Sequence, residues 1–203
     1  MARERDESKR AAILEEATRL FAERGFHATS VSDIVKGIDL PVGSVYTYFE
    51  NKDAIIRAAI EEGWAGFHDE LSAACAAEPR PAGRLDIIIN RFLPALLQKT
   101  ELISLILSEG LRFTDLNSKL ERLAVLIAGV LQDLAVERGV PIRLSPRQAV
   151  TALSVFFLGS LDTIRLSRLA GLPLHESDVL AFIRLMIENA YRMESGELDS
   201  LLP

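Results

Sequence analysis

Residues 30–52, SVSDIVKGIDLPVGSVYTYFENK, hold the start and end of one helix, the start of a second and the start of a third. So dense a run of punctuation leaves the chain little conformational choice. Ser30 and Asp33 fit the capping box that opens a helix. Val31, Ile34 and Val35 give that helix an apolar side, and Gly37 is expected to end it. Asp39 falls in the turn, where a short polar side chain tolerates left-handed geometry. Pro41 suits the first turn of the next helix, where its missing N–H costs nothing. Asn51 is a good cap for the helix that starts near Lys52. The reading is a helix, a tight turn, a second helix over 42–49 and the beginning of a third.

The second helix, VGSVYTYF, has a distinct chemistry. Gly43 and Ser44 remove bulk from its start, and Val45 and Phe49, four apart, face inward. Tyr46, Thr47 and Tyr48 leave hydroxyls on the other sides. Such a helix suits a DNA major groove, its N-terminal end at base edges and its hydroxyls on phosphates. A short surface helix with two half-buried tyrosines fits the same residues.

Residues 10–60 resemble the DNA-binding domain of the TetR family of bacterial transcriptional repressors. The matching pieces are AILEEATRLFAERGFHATSVSDIV and LPVGSVYTYFENKDAI, ordered and continuous over about a quarter of the chain. Two residues depart from the family pattern: Asp39, where Gly is usual, and Pro41 in place of a frequent Ser. Both can change the angle of the recognition helix and so the operator. The resemblance implies phosphate contacts for Tyr46, Tyr48 and Lys52. It puts Thr29, Ser30 and Lys36 near the backbone or groove edge, and makes Val42, Gly43, Ser44 and Thr47 the base readers.

Charge complicates this reading. The net charge is −6; residues 1–57 carry nine Lys/Arg against ten Asp/Glu, a balance of −1, so the remainder carries −5. There is no basic stripe, so affinity for DNA has to rest on a few placed contacts doubled by a dimer. Arg3, Arg5, Lys9 and Arg10 lie in a charged opening expected to fray, free to reach a backbone or minor groove, or simply solvated. MARERDESKR has no apolar core behind it, so no secretory signal is expected. The longest uncharged run, Gln148 to Leu161, falls short of the roughly 20 residues of a membrane span. A cytoplasmic location follows, and Cys75, the one cysteine, is expected to be a buried apolar side chain.

Elsewhere the periodicity is helical. Ile13, Ala17, Leu20 and Phe21 make one face of a first helix, closed by Gly25 with Phe26 folding back on Phe21. A long helix runs from about Lys52 to Ala77, and EPRPAG at 78–83 reads as a loop. Helices follow over about 83–99, kinked by Pro94, then 101–112, then 116–137 after an Asp115 cap and closed near Pro141. Ser145, Pro146 and Gln148 open a helix that ends at Gly171 and is apolar nearly all round from Ala149 to Leu161. The last helix spans about 177–193, and the tail GELDSLLP is expected to be loose. No period-2 strand pattern or repeat is present. The fold class is all-α, with about nine helices in two domains. A helix-turn-helix DNA-binding domain over 7–67 (helix-turn-helix 30–49) is followed by an effector-binding and dimerisation domain over 68–203.

The resemblance implies a homodimer on a near-palindromic double-stranded DNA operator, released when a small effector enters a pocket among the middle helices. Trp64, Phe67, His68, Phe92, Leu96, Phe113, Phe156 and Phe157 are the candidate pocket lining, which suits a hydrophobic or amphipathic effector, though core and lining look alike in sequence. Phe157, Leu161, Ile164, Phe182, Ile183, Met186 and Ile187 are the candidate dimer interface, with monomer core as the alternative. Asp162 and Arg165 can anchor a ligand or form an intersubunit salt bridge. No cofactor, metal or membrane partner is expected. His27, His68 and His175 lack partners at metal spacing, apart from Asp69 and Glu70 beside His68, and no nucleophile triad or phosphate loop argues for an enzyme. The alternatives are a DNA-binding protein answering to a protein partner, and an activator.

Overall fold

The computed structural model describes residues 2–140, 145–171 and 176–191. Pro141, His175, Met193 and the tail fall outside them, as do the side chains of Phe156, Phe157, Leu161, Ile164 and Arg165. Among the described residues the chain is helical with no strand. The helices are α1 (Ala2–Arg24), α2 (Val31–Gly37), α3 (Val42–Val45), α4 (Lys52–Ala77), α5 (Pro81–Asp86), α6 (Leu93–Gln98), α7 (Thr100–Phe113), α8 (Leu116–Arg138), α9 (Pro146–Ala170) and α10 (Glu176–Tyr191). A π-helical segment, Ile87–Phe92, joins α5 to α6, so 81–98 is one helical run.

The local signals act as their chemistry dictates. The Ser30/Asp33 and Ser145/Gln148 capping boxes are both closed. Asn51 Oδ1 accepts from the Ala54 amide at 2.8 Å. Gly25 and Gly171 adopt the left-handed conformation at helix ends. Phe26 packs on Phe21 with ring centroids 5.4 Å apart. Asp39 takes the left-handed turn position, at φ 52°.

Several boundaries differ from expectation. Helix α1 is assigned from Ala2, within the charged opening. Gly37 is the last residue of α2 rather than its left-handed cap, a role that falls to Asp39. A Cβ at Gly37 would press into the Glu16 side chain, 2.9 Å from its Cγ, so Glu16 would have to shift to admit a larger residue. Helix α3 is a single turn, and 46–48 continue as turns, with the Tyr48 and Phe49 amides both donating to Val45 O at 2.9 Å. The run at 81–98 starts two residues early, because Pro81 suits a first helical position. Pro94 lacks the N–H that an α-helix would direct at Asn90, and the π-helical segment just before it re-routes the ladder.

The chain forms two compact units, residues 1–66 with 100–116, and 67–99 with 117–203. In this division α7 groups with the N-terminal helices, although it lies beyond residue 67 in the chain. There α1 packs against α2 and α7, and a Cβ on Gly63 of α4 would come within 2.9 Å of Leu102 in α7. Ile13, Leu20, Ile34, Ile55, Ile56, Ile60 and Leu105 are fully buried in this unit. In the second unit Leu71, Leu85, Ile89 and Leu134 are, and α10 packs on α6. No helix among the described residues is long and apolar enough to cross a membrane.

Candidate nucleic-acid interface and apolar cavity

Helix α3 is held by its inner side. Val45 and Phe49 are buried, so the roll of this single turn is set by the core. The outer side then shows Val42, Gly43, Tyr46 and Thr47, all exposed, with Val42 at 40% and Tyr46 at 56%. Ser44 and Tyr48 are half-buried at its edge. Ser30 is exposed at the start of α2 and Lys36 in its last turn. The Ser30 hydroxyl and amide both donate to Asp33, holding its carboxyl below the usual aspartate range. Eight of the ten expected DNA residues are therefore exposed or half-buried in the N-terminal unit.

The other two are turned inward. Thr29 is 1% exposed, and its hydroxyl is within donating distance of Leu20 O (3.2 Å) and Gly25 O (3.0 Å). It splices the end of α1 to the loop and cannot stand at a groove edge, which corrects that expectation. Lys52 Nζ donates to Phe26 O (2.8 Å) and Thr29 O (2.9 Å) and lies 4.2 Å from the Phe26 ring centroid. Two of its three N–H groups thus fasten the start of α4 to the loop before α2.

Other partners are invisible in the sequence because they are remote in it. Arg10 makes a two-pronged ion pair with Glu62 (2.7 Å to Oε2), 52 positions away, and lies 5.2 Å from the Phe49 ring centroid. Those hydrogen bonds hold the guanidinium pKa above its ordinary value. Arg10 is thus a strut tied to Glu62 and set against Phe49, not a free arm. Phe113 of α7 packs 4.8 Å from Phe26, and Arg112 lies 2.8 Å from His27 Nε2, 85 positions distant.

The second unit contains an apolar cavity of about 210 Å³. Phe67, Leu85, Ile89, Phe92, Leu96, Leu123, Ile127 and Leu131 line it, with Ile183, Met186 and Ile187 of α10. Phe67, Phe92 and Leu96 were expected there, and Phe67 and Phe92 meet edge to face at 5.9 Å. Trp64 and Phe113 belong to the other unit, Phe113 being committed to Phe26. His68 is also absent from the lining; its Nδ1 is 3.7 Å from the Asp69 carboxylate. Ile183 is 7% exposed and faces the cavity, which corrects its assignment to an outward interface, whereas Phe182, at 54%, points outward. A polar chain braces the same helices: Arg184 donates to Asn90 in the π-helical segment, and Asn90 to Asp86. Burial pushes the Cys75 thiol up, so it stays a protonated packing group.

Residues 13–59 match the model of a family described as bacterial regulatory proteins, tetR family. Over 66 residues the chain is 41% identical to the HTH-type transcriptional repressor KstR2 of Mycobacterium tuberculosis, a stretch covering 32% of this chain and 31% of that protein. The match thus spans about a third of the repressor's length. The fold extends much further. The transcriptional regulator FadR of Bacillus subtilis, in complex with stearoyl-CoA, superposes with a TM-score of 0.66 over 95% of this chain and 99% of that one, at 18% identity. A regulator of the TetR/AcrR family superposes with a TM-score of 0.70 over 89% and 99%, at 21% identity. The N-terminal stretch thus carries the TetR-family match, and the fold is shared with these regulators along nearly the whole length of the chain.

Proposed function

We propose that this protein is a transcriptional repressor that binds a near-palindromic DNA operator as a homodimer and lets go when a hydrophobic effector occupies the apolar cavity. The observation that carries the reading is the outer side of α3, exposed where the core holds its inner side. A family-matched helix-turn-helix that buries Val45 and Phe49 but shows Val42, Gly43, Tyr46 and Thr47 is built to be read against something. Tyr46, Tyr48 and the remaining N–H of Lys52 serve as phosphate contacts, with Ser30 and Lys36 at the groove edge. The surplus apolar side of α10, Phe182 and Leu185 above all, serves the dimer.

The cavity argues for an effector rather than a protein partner as the signal. Its volume exceeds the ~150 Å³ apolar cavity that accepts a benzene ring, and its lining is aliphatic and aromatic carbon. The effector's buried portion is therefore a hydrocarbon chain or ring system, in keeping with the acyl-CoA bound by the Bacillus subtilis neighbour. Release demands an effector that binds the DNA-free state more tightly than the bound one. The setting is cytoplasmic.

Selection from a random DNA pool with the purified protein tests the reading. Recovery of a palindrome, bound two chains per site and released by a long-chain acyl compound, is expected. Weak binding with no preferred sequence would refute it.

A further inference from the structure

We propose that Val42 reads the C5-methyl group of a thymine, so that operator choice rests on apolar contact rather than on hydrogen bonds to guanine. The assignment rests on the DNA-binding reading above and sharpens it. Its basis is what the reading surface lacks as much as what it holds. The commonest specific major-groove contact is Arg or Lys to guanine O6 and N7, and adenine is read by Asn or Gln. Between Lys36 and Lys52 the chain has no Arg, Lys or Gln, and its one Asn, Asn51, spends its side-chain oxygen on the Ala54 amide. The charged residues of the stretch, Asp39 and Glu50, are both acidic.

What α3 offers instead is an isopropyl group. Val42 is 40% exposed at the first position of the helix, the end that approaches base edges. Gly43 beside it is exposed with open space around its Cα, so nothing prevents close approach of the backbone. Tyr46, one turn on, continues the same ridge. Pro41 sets the entry to the helix at φ −62°, and a β-branched side chain is stiff at χ1, so Val42 loses little freedom on docking. The only aliphatic group that the major groove presents is the thymine methyl. The Ser44 and Thr47 hydroxyls can bond to any base edge, whereas an exposed valine is matched to that methyl group alone.

The test uses the full-length protein and the sequence recovered by selection. Each thymine is replaced singly by uracil, which removes the methyl and keeps base pairing. Binding is measured by fluorescence anisotropy at one salt concentration. One thymine per half-site should lose about fourfold in affinity, and roughly fifteenfold with both half-sites changed. Val42→Ala should bind thymine and uracil duplexes equally at that position while melting as the parent does, since the side chain is outside the core. Equal binding of uracil at every position, or thymine discrimination that survives in Val42→Ala, overturns the assignment while leaving the regulator intact. Failure to select any sequence overturns the DNA-binding reading, and the assignment with it.

Discussion

Lys52 is the residue whose role the structure changes most. Replacing it by Met keeps the apolar stem and removes the ammonium. What is lost is a pair of charge-assisted hydrogen bonds, to Phe26 O at 2.8 Å and Thr29 O at 2.9 Å, and a cation held over the Phe26 ring. Hydrogen bonds from charged groups contribute about 1.5–3 kcal/mol each when well shielded, and a cation–π contact about 0.5–1 kcal/mol at an exposed site. Lys52 is half-buried, so screening by solvent reduces the sum to about 2 kcal/mol. For a chain of this size that is a fall in Tm of about 4–8 °C, to be read by thermal unfolding at fixed chain concentration. A lysine that served only to touch a phosphate would leave Tm unchanged and flatten the salt dependence of DNA binding by about 0.9 per lost contact. If Lys52→Met unfolds within about 0.5 kcal/mol of the parent, the fastening role is wrong.

Other substitutions probe the remaining structural roles. Thr29→Val removes a buried hydroxyl that donates to helix-end carbonyls, and urea unfolding should show a loss of about 1 kcal/mol with an unaltered salt slope for DNA. At Asp39, whose φ is 52°, Gly should exceed Ala in stability by about 1 kcal/mol; equal stability of the two variants would remove the turn argument. Leu131→Trp should fill the cavity, retain operator binding and lose at least tenfold in effector response; an unimpaired response would place the effector elsewhere. Glu78 titrates in acid. Hydrogen bonds from Arg80 hold its pKa at about 2, below the ordinary 4.5. The folded-state value is depressed, so this group's stabilisation is complete above pH 4.5 and is lost as pH falls toward 2. Glu78→Gln should therefore be less stable than the parent at neutral pH, and the gap should close across that interval.

The exposed side of α3 was legible because its signals are short-range. Ser30 with Asp33, Asn51 with the Ala54 amide, and the burial of Val45 and Phe49 on one side of a turn are settled within a few residues. The cavity was less legible. Phe67, Phe92 and Leu96 were found, but Trp64 and Phe113 carry the same kind of side chain and belong to the other unit. A phenylalanine that lines a void and one that fills a core have the same periodicity, so nothing local separates them.

Alone, the sequence determined the all-α class, the helix ends marked by caps and glycines, the left-handed turn at Asp39 and the division of 42–49 into an inner side at Val45 and Phe49 and an outer side. Each depends on backbone preferences and side-chain spacing within one or two turns. Only the tertiary structure decided that Lys52 turns inward to two carbonyls, that Arg10 is held by Glu62, and that α7 packs with the N-terminal unit. It also decided that Ile183 faces a cavity and that a π-helical segment absorbs Pro94. Those outcomes join groups tens of positions apart, and a charged or apolar side chain takes whichever of many chemically equivalent partners the packing brings within reach.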